Sequence, residues 1–134
     1  MGNNEKPVSK TFRKRNFYAT DVEKRYDEKL RQLDYSRKMN QAYSAGFTWF
    51  KEGKDLQLAI DNPELVKIDN ADIFKSFIRG YEAGIRDYGR TLGYNGTRID
   101  ELPKEYSSNK YFLDGYKNGL LEYQKMEARN NKRR

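Results

Sequence analysis

Few side chains of this sequence could carry out catalysis, because its 134 residues include neither cysteine nor histidine. The commonest general base, thiol nucleophiles, disulfides and thiolate or imidazole metal sites are therefore excluded. The remaining candidates are two pairs of neighbouring acids, Asp69 with Asp72 and Asp100 with Glu101. Such pairs are typical of helix caps and solvated loops, and neither has the converging oxygens that a metal-dependent nuclease needs. We expect no enzyme activity and no metal or other cofactor.

Cations interleaved with aromatic residues offer a different chemistry, the binding of nucleic acid. Cations contact phosphates, and aromatic rings stack on bases. The predicted phosphate contacts are Lys10, Arg13, Lys14, Arg15, Arg37, Lys38, Lys132, Arg133 and Arg134, and the stacking candidates are Phe12, Phe17 and Tyr94. For the N-terminal residues the alternatives are a disordered tail or an arm whose rings dock on the domain.

The net charge of +7 is concentrated at the two ends of the chain. Residues 1–40 contain 11 Lys/Arg and 6 Asp/Glu, residues 41–100 contain 8 and 9, and residues 101–134 contain 8 and 5. Basic ends of this kind commonly approach nucleic acid or another acidic surface, although solubility alone would also explain them. No run of residues is apolar enough to span a membrane, and the absence of cysteine fits a reducing compartment, so we expect a cytoplasmic location.

A motif of small and aromatic residues recurs three times along the chain. Its small residues are Ala42 and Gly46, then Gly80 and Gly84, then Gly115 and Gly119, each pair followed by aromatic or aliphatic neighbours. Residues four apart share one face of a helix. Because glycine within a helix costs roughly 1 kcal/mol relative to alanine, the motif predicts that another backbone or ring packs closely against these positions.

The elements that carry the motif are predicted to be three principal helices of an all-α domain. A basic flexible arm over residues 1–19 precedes a helical domain over residues 20–128, and a basic tail follows at residues 129–134. The first helix is long: it starts at the capping box Thr20–Glu23 and continues through the first copy of the motif to Gly53. The second covers about 71–90 after a cap at Asp69 or Asn70, and the third about 109–128 after a cap at Ser107 or Ser108. Between the first two, residues 56–60 form a helical turn that Asn62-Pro63 ends.

The stretch from Ala42 to Gly119 resembles the ribosome modulation factor family. The residues that carry the resemblance are Ala42–Gly46 (AYSAG), then Asn62-Pro63, then Phe77–Gly84 (FIRGYEAG). Gly80–Gly84 leads through Pro103 to Phe112–Gly119 (FLDGYKNG), which reads as a second, overlapping and degenerate copy. Members of that family bind the small ribosomal subunit and inactivate ribosomes under stress. The resemblance therefore implies a pair of helices that contact ribosomal RNA through basic residues.

The sequence thus favours a non-catalytic RNA-binding protein associated with the ribosome, and the resemblance implies that it inactivates or hibernates ribosomes. A rival hypothesis comes from another class, a small phage or mobile-element protein that binds and inhibits a host nucleoprotein complex, as anti-CRISPR proteins do. A homo-oligomer that stacks its small-residue faces is a third hypothesis. A stoichiometric complex with a protein partner that survives nuclease treatment would separate the second hypothesis from the first.

Overall fold

The computed structural model describes the backbone of residues 2–133 and the side chains of residues 21–132. Within those residues the fold is all-α and contains no strand. The four helices are α1 (Gly2–Lys51), α2 (Leu56–Asp61), α3 (Ala71–Tyr94) and α4 (Lys110–Arg133), with short 3₁₀ turns at Pro63–Val66, Ile99–Glu101 and Lys104–Tyr106. The predicted fold class, with three principal helices and a long first one, is confirmed.

Several predicted helix ends were wrong. Helix α1 has already begun before Thr20, where the capping box predicted its start. Helix α3 continues beyond its predicted end near residue 90 to Tyr94, and α4 continues through the expected tail to Arg133. The flexible arm predicted over residues 1–19 lies outside the residues whose side chains are described.

The chain divides into two compact units, Met1–Lys38 and Met39–Arg134. In the first unit, every side chain from Asp21 to Lys38 is exposed except that of Asp34, which is half-buried. The core lies in the second unit, where Ala42, Ala59 and Phe77 form one buried cluster. Ile85, Leu102, Phe112 and Tyr116 form another.

The small residues of the first two motif copies pack α1 against α3 within the second unit. A Cβ added at Gly46 would overlap the carbonyl oxygen of Phe77, and one added at Gly80 would overlap that of Tyr43. At Gly84 it would come 2.9 Å from the ring of Phe50. The contacts advance in the same direction along both helices, so α1 and α3 run parallel. The close packing predicted from the motif is confirmed here.

A second set of glycines packs α3 against α4. Added Cβ atoms at Gly115 and Gly119 would overlap the carbonyl oxygens of Arg86 and Arg90, which lie on α3. In return, Gly89 and Gly93 of α3 face the carbonyl oxygens of Phe112 and Tyr116. At 100° per residue, Gly89 and Gly93 lie on the side of α3 opposite Gly80 and Gly84. Helix α3 is therefore the central helix, with one glycine face for each neighbour, and α4 is also parallel to it.

Parallel neighbours require connections that return along the length of the helices, and two crossovers provide them. In the first, Asp55 caps α2 by accepting a hydrogen bond from the backbone N–H of Gln57 (3.1 Å), and Ala59 is completely buried. Asn62-Pro63 ends α2 as predicted. In the second crossover, Leu102 is buried in the cluster around Phe112.

Helices α3 and α4 are each capped at the N-terminus by an asparagine side chain. The side chain of Asn70 accepts hydrogen bonds from the N–H groups of Asp72 (2.8 Å) and Ile73 (3.1 Å), as one of the two predicted alternatives. Helix α4 is capped by Asn109 instead of Ser107 or Ser108, since the Asn109 side chain accepts from the N–H groups of Tyr111 (3.0 Å) and Phe112 (3.2 Å). This cap places the completely buried Phe112 in the first turn of the helix.

Rings from all three long helices and the second crossover meet in one aromatic cluster. Phe50 packs edge-on against Tyr81, with ring centroids 5.4 Å apart, and Tyr106 stacks on Phe112 at 5.6 Å. Tyr88 contacts both Tyr106 and Phe112. Burial raises the pKa of the Tyr81 and Tyr106 hydroxyls, because the charged phenolate loses hydration there. The motif aromatics on this side of the molecule serve packing.

Candidate nucleic-acid interface

Many cations of the helical body are engaged by acids of a neighbouring helix. Lys51 of α1 pairs with Asp87 of α3 at 2.8 Å. Arg86 and Arg90 of α3 pair with α4: Arg86 with Asp114 at 3.1 Å, and Arg90 with both oxygens of Glu122 at 3.0 and 3.2 Å. These pairs bridge the parallel helices and largely neutralise their contact faces. A surface that attracts phosphates must therefore lie elsewhere.

The last part of α4 carries cations that are not engaged in this way. Lys125, Arg129 and Lys132 follow one another at i, i+4 and i+7, so they lie on one face of the helix. All three are exposed, and none of them forms an ion pair with another described residue. We call these three residues the basic stripe. At a rise of 1.5 Å per residue it extends about 10 Å along the helix axis.

The stripe continues into a strongly basic chain end. Residues 124–134 hold five Lys/Arg and a single acid, Glu127. Glu127 lies two residues from both Lys125 and Arg129, a spacing at which side chains do not face each other on a helix. Of the three C-terminal cations predicted to contact phosphates, Lys132 belongs to the stripe, and Arg133 and Arg134 lie outside the residues whose side chains are described.

Tyr94 lies at the same end of the second unit as the stripe. It is the last residue of α3, and its side chain is 44% exposed. Gly119 of α4 packs against its backbone: a Cβ at Gly119 would come 2.8 Å from the Tyr94 nitrogen. From Gly119 the helix needs six residues, about 9 Å, to reach Lys125. The structure therefore brings an exposed ring, predicted to stack on bases, to the same end of the fold as a row of cations.

Arg37 and Lys38, in the first unit, share one acid. The Arg37 guanidinium donates to Asp34 at 2.6 Å, and the Lys38 ammonium lies 3.3 Å from the other oxygen of the same carboxylate. The hydrogen bond from Arg37, followed by that from Lys38, lowers the pKa of Asp34 below its usual value. Two cations on one carboxylate leave a single net positive charge here, a weaker anion site than the basic stripe. The remaining predicted residues, Lys10, Arg13, Lys14, Arg15, Phe12 and Phe17, lie outside the described side chains.

The sequence prediction missed Lys125 and Arg129. The sequence does contain a signal for these two residues, because the i, i+4, i+7 spacing of Lys125, Arg129 and Lys132 places them on one face of a helix. It was overlooked because the helix was expected to end near residue 128, which would have left Lys132 in an irregular tail. Once α4 runs to Arg133, the three cations form one face.

One member of each predicted acidic pair lies near a cation. Asp72 lies in the first turn of α3, beside the Asn70 cap and 3.9 Å from Lys75. Asp100 pairs with Arg98 at 3.3 Å. Across the described part of the chain, acids do not gather in a group of three or more that could hold a metal ion. None of the helices formed by these residues combines the length and apolar character needed to cross a bilayer.

Comparison of the chain with protein-family models, curated proteins and solved structures found no match.

Proposed function

We propose that this chain is a non-catalytic RNA-binding protein that holds phosphates with the basic stripe of α4. The observation that carries the proposal is the row formed by Lys125, Arg129 and Lys132: three exposed cations on one helix face, without an acidic partner among the described residues. Arg86 and Arg90, by contrast, are held by acids of a neighbouring helix.

The electrostatics of the stripe favour an anionic partner. Its three like charges lie within about 10 Å of one another, a distance close to the screening length at physiological salt, so they repel each other in the free protein. The negative end of the helix dipole offsets part of this repulsion, but only over the last turn. A phosphate backbone bound along the stripe would relieve the repulsion among the three cations. The nucleic acid would at the same time release its own condensed counterions.

RNA is favoured over other anions by the combination of charge with stacking groups. Tyr94 is exposed at the same end of the fold as the stripe, and the sequence places Phe12 and Phe17 among the N-terminal cations. Single-stranded loops of structured RNA offer both unpaired bases for stacking and phosphates for ion pairing. The more specific proposal, that the RNA is ribosomal and that binding inactivates the ribosome, rests on the resemblance of residues 42–119 to the ribosome modulation factor family.

Sedimentation through a sucrose gradient tests both levels of the proposal. Tagged protein in native lysate should migrate with ribosomal subunits or paired ribosomes, and this migration should be lost after nuclease treatment or at high salt. Migration with another RNA would keep the RNA-binding proposal and overturn the ribosomal one. A nuclease-resistant complex with a protein would overturn both and favour an inhibitor of a host nucleoprotein machine.

A further inference from the structure

The first unit exposes an apolar face that nothing in the described structure covers. Val22, Tyr26, Leu30 and Leu33 lie within about 80° of the circumference of α1, and we call them the apolar stripe. Their side chains are 65%, 64%, 47% and 67% exposed, respectively. In an amphipathic helix, a row of apolar side chains of this kind normally packs on a core.

Little else in the described part of this segment stabilises it as a helix. Within residues 21–38 the ion pairs are Arg25 with Asp21 (3.4 Å) and the two cations held by Asp34. Exposed pairs at these spacings stabilise a helix only slightly. A helical segment that buries no side chain is marginal in water, so covering the apolar stripe would stabilise it.

The charges beside the stripe are divided by sign. On one flank lie Glu23, Asp27 and Asp34, all acidic. On the other lie Arg25 and Lys29, both basic, with the neutral Ser36. These positions follow from a rotation of 100° per residue about the helix axis. Arg37 lies within the same arc as the stripe, four residues beyond Leu33, and its guanidinium is held by Asp34 at 2.6 Å.

We infer that the apolar stripe is the contact surface of a parallel homodimer, in which α1 of a second copy packs against α1 of the first. In a parallel pair with two-fold symmetry, each flank meets the opposite flank of the partner helix, so the acidic flank faces the basic one. In an antiparallel pair each flank meets its own equivalent, and acids would face acids. The spacing fits the parallel arrangement, because Asp34 follows Lys29 by five residues, as in the charge pairs that flank parallel coiled coils.

The contact area is small, and this limits the affinity of the dimer. Four side chains per helix bury less than the roughly 800 Å² per partner of a standard interface. The dimer should therefore form reversibly in the micromolar range and be absent from dilute samples. It requires no RNA, so this inference is independent of the proposed function, and its test uses nuclease-treated protein.

Sedimentation equilibrium over a concentration series tests the surface. Leu33→Glu places a charge in the contact in both copies and should weaken dimerisation by at least about tenfold. Tyr35→Glu is the matched control: it also replaces an exposed apolar side chain by Glu, but on the opposite face of α1. It should change the dimerisation constant less than about twofold. A wild-type protein that stays monomeric up to several hundred micromolar, or a dimer equally affected by both variants, would overturn the inference.

A single introduced cysteine tests the direction of the two helices. Because the chain contains no cysteine, Leu33→Cys can form a disulfide only with its own copy in the partner. In the parallel dimer the two positions face each other across the two-fold axis, and oxidation should give a covalent dimer. In an antiparallel pair centred on the stripe they would be about 16 Å apart, beyond the Cα separation that a disulfide allows. A reversible dimer that gives no more cross-linked product from Leu33→Cys than from Tyr35→Cys would overturn the parallel arrangement.

Discussion

Gly80 of α3 lies directly against Tyr43 of α1, backbone to backbone. A Cβ atom at Gly80 would overlap the carbonyl oxygen of Tyr43 and lie 2.7 Å from its carbonyl carbon. Neither helix can relieve this overlap by a change of rotamer, because the opposing atoms belong to the main chain. The approach allows the Cα hydrogens of the glycine to contact the carbonyl, a weak interaction that recurs between closely packed helices. The small residues of the motif are thus required by the distance between the helices.

Gly80→Ala should consequently destabilise the protein strongly. The added methyl group would force α1 and α3 apart, which we expect to lower the free energy of unfolding by about 3 kcal/mol. The gain in helix propensity of about 1 kcal/mol would offset only part of the underlying strain. Urea denaturation followed by circular dichroism measures the difference.

Gly53→Ala provides the control for this substitution. Gly53 has φ of +74°, and a Cβ there would meet no atom within 4 Å. Only the left-handed backbone conformation opposes the change, at a cost of about 1 kcal/mol. If Gly80→Ala cost no more than Gly53→Ala, close packing would not be the reason for the motif.

The sequence predicted the packing of α1 on α3 better than that of α3 on α4. The motif includes one pair of glycines on α3, whereas the helix uses two pairs on opposite faces. Gly89 and Gly93 were missed because Gly89 is followed by Arg90, where the first small residue of the motif is followed by tyrosine. Their spacing relative to Gly80 and Gly84 already places them on the other side of the helix. The parallel direction of the helices could not be predicted from spacing, since it depends on how the two crossovers pack.

Local ambiguity explains the error at the start of α4. Ser107, Ser108 and Asn109 are consecutive, and each residue type is a good helix cap. The choice among them is made by tertiary packing: a cap at Asn109 directs Phe112 into the core, where its side chain is completely buried. Information of that kind is absent from the local sequence.

Asn109→Ala tests the cap that the structure assigns. Two backbone N–H groups, those of Tyr111 and Phe112, would lose their acceptor. We expect a loss of about 1 kcal/mol in the free energy of unfolding. Ser108→Ala, one residue away on an exposed side chain, should change it by less than about 0.5 kcal/mol. The opposite order of the two variants would assign the cap to Ser108.

Two half-buried tyrosines, Tyr81 and Tyr106, predict that stability falls in alkali. Burial raises the pKa of Tyr106 above 10.0, with smaller contributions from Glu105 and Tyr88. Because the folded state holds the phenol proton more tightly than the unfolded state, this stabilisation is fully present below pH 10 and is lost as the pH rises through the pKa of the folded state. In Tyr106→Phe the fall in the free energy of unfolding above pH 10 should be less steep than in the wild type. Tyr81, whose pKa is also raised, would account for part of the fall in the free energy of unfolding that remains in this variant. Urea denaturation between pH 8 and pH 11 measures both slopes, and equal slopes would contradict the prediction.

If the proposed function is right, neutralising the basic stripe should weaken RNA binding and make it less sensitive to salt. In the triple variant Lys125→Gln, Arg129→Gln, Lys132→Gln, each lost phosphate contact reduces the slope of log K against log salt by about 0.7 on single strands and 0.9 on duplex. The total reduction should therefore be between about two and three. Fluorescence anisotropy with a structured ribosomal RNA fragment, measured from 50 to 200 mM salt, gives this slope directly.

A charge-matched control separates the stripe from net charge alone. Lys54, Lys75 and Arg98 are also cations of the second unit, but each is paired with a nearby acid, Glu52, Asp72 and Asp100 respectively. Replacing these three by Gln removes the same formal charge and should change the slope by less than one, because cations already held by carboxylates release few counterions from RNA. If both triple variants reduced the slope equally, binding would depend on overall charge, and the row of cations on α4 would have no special role.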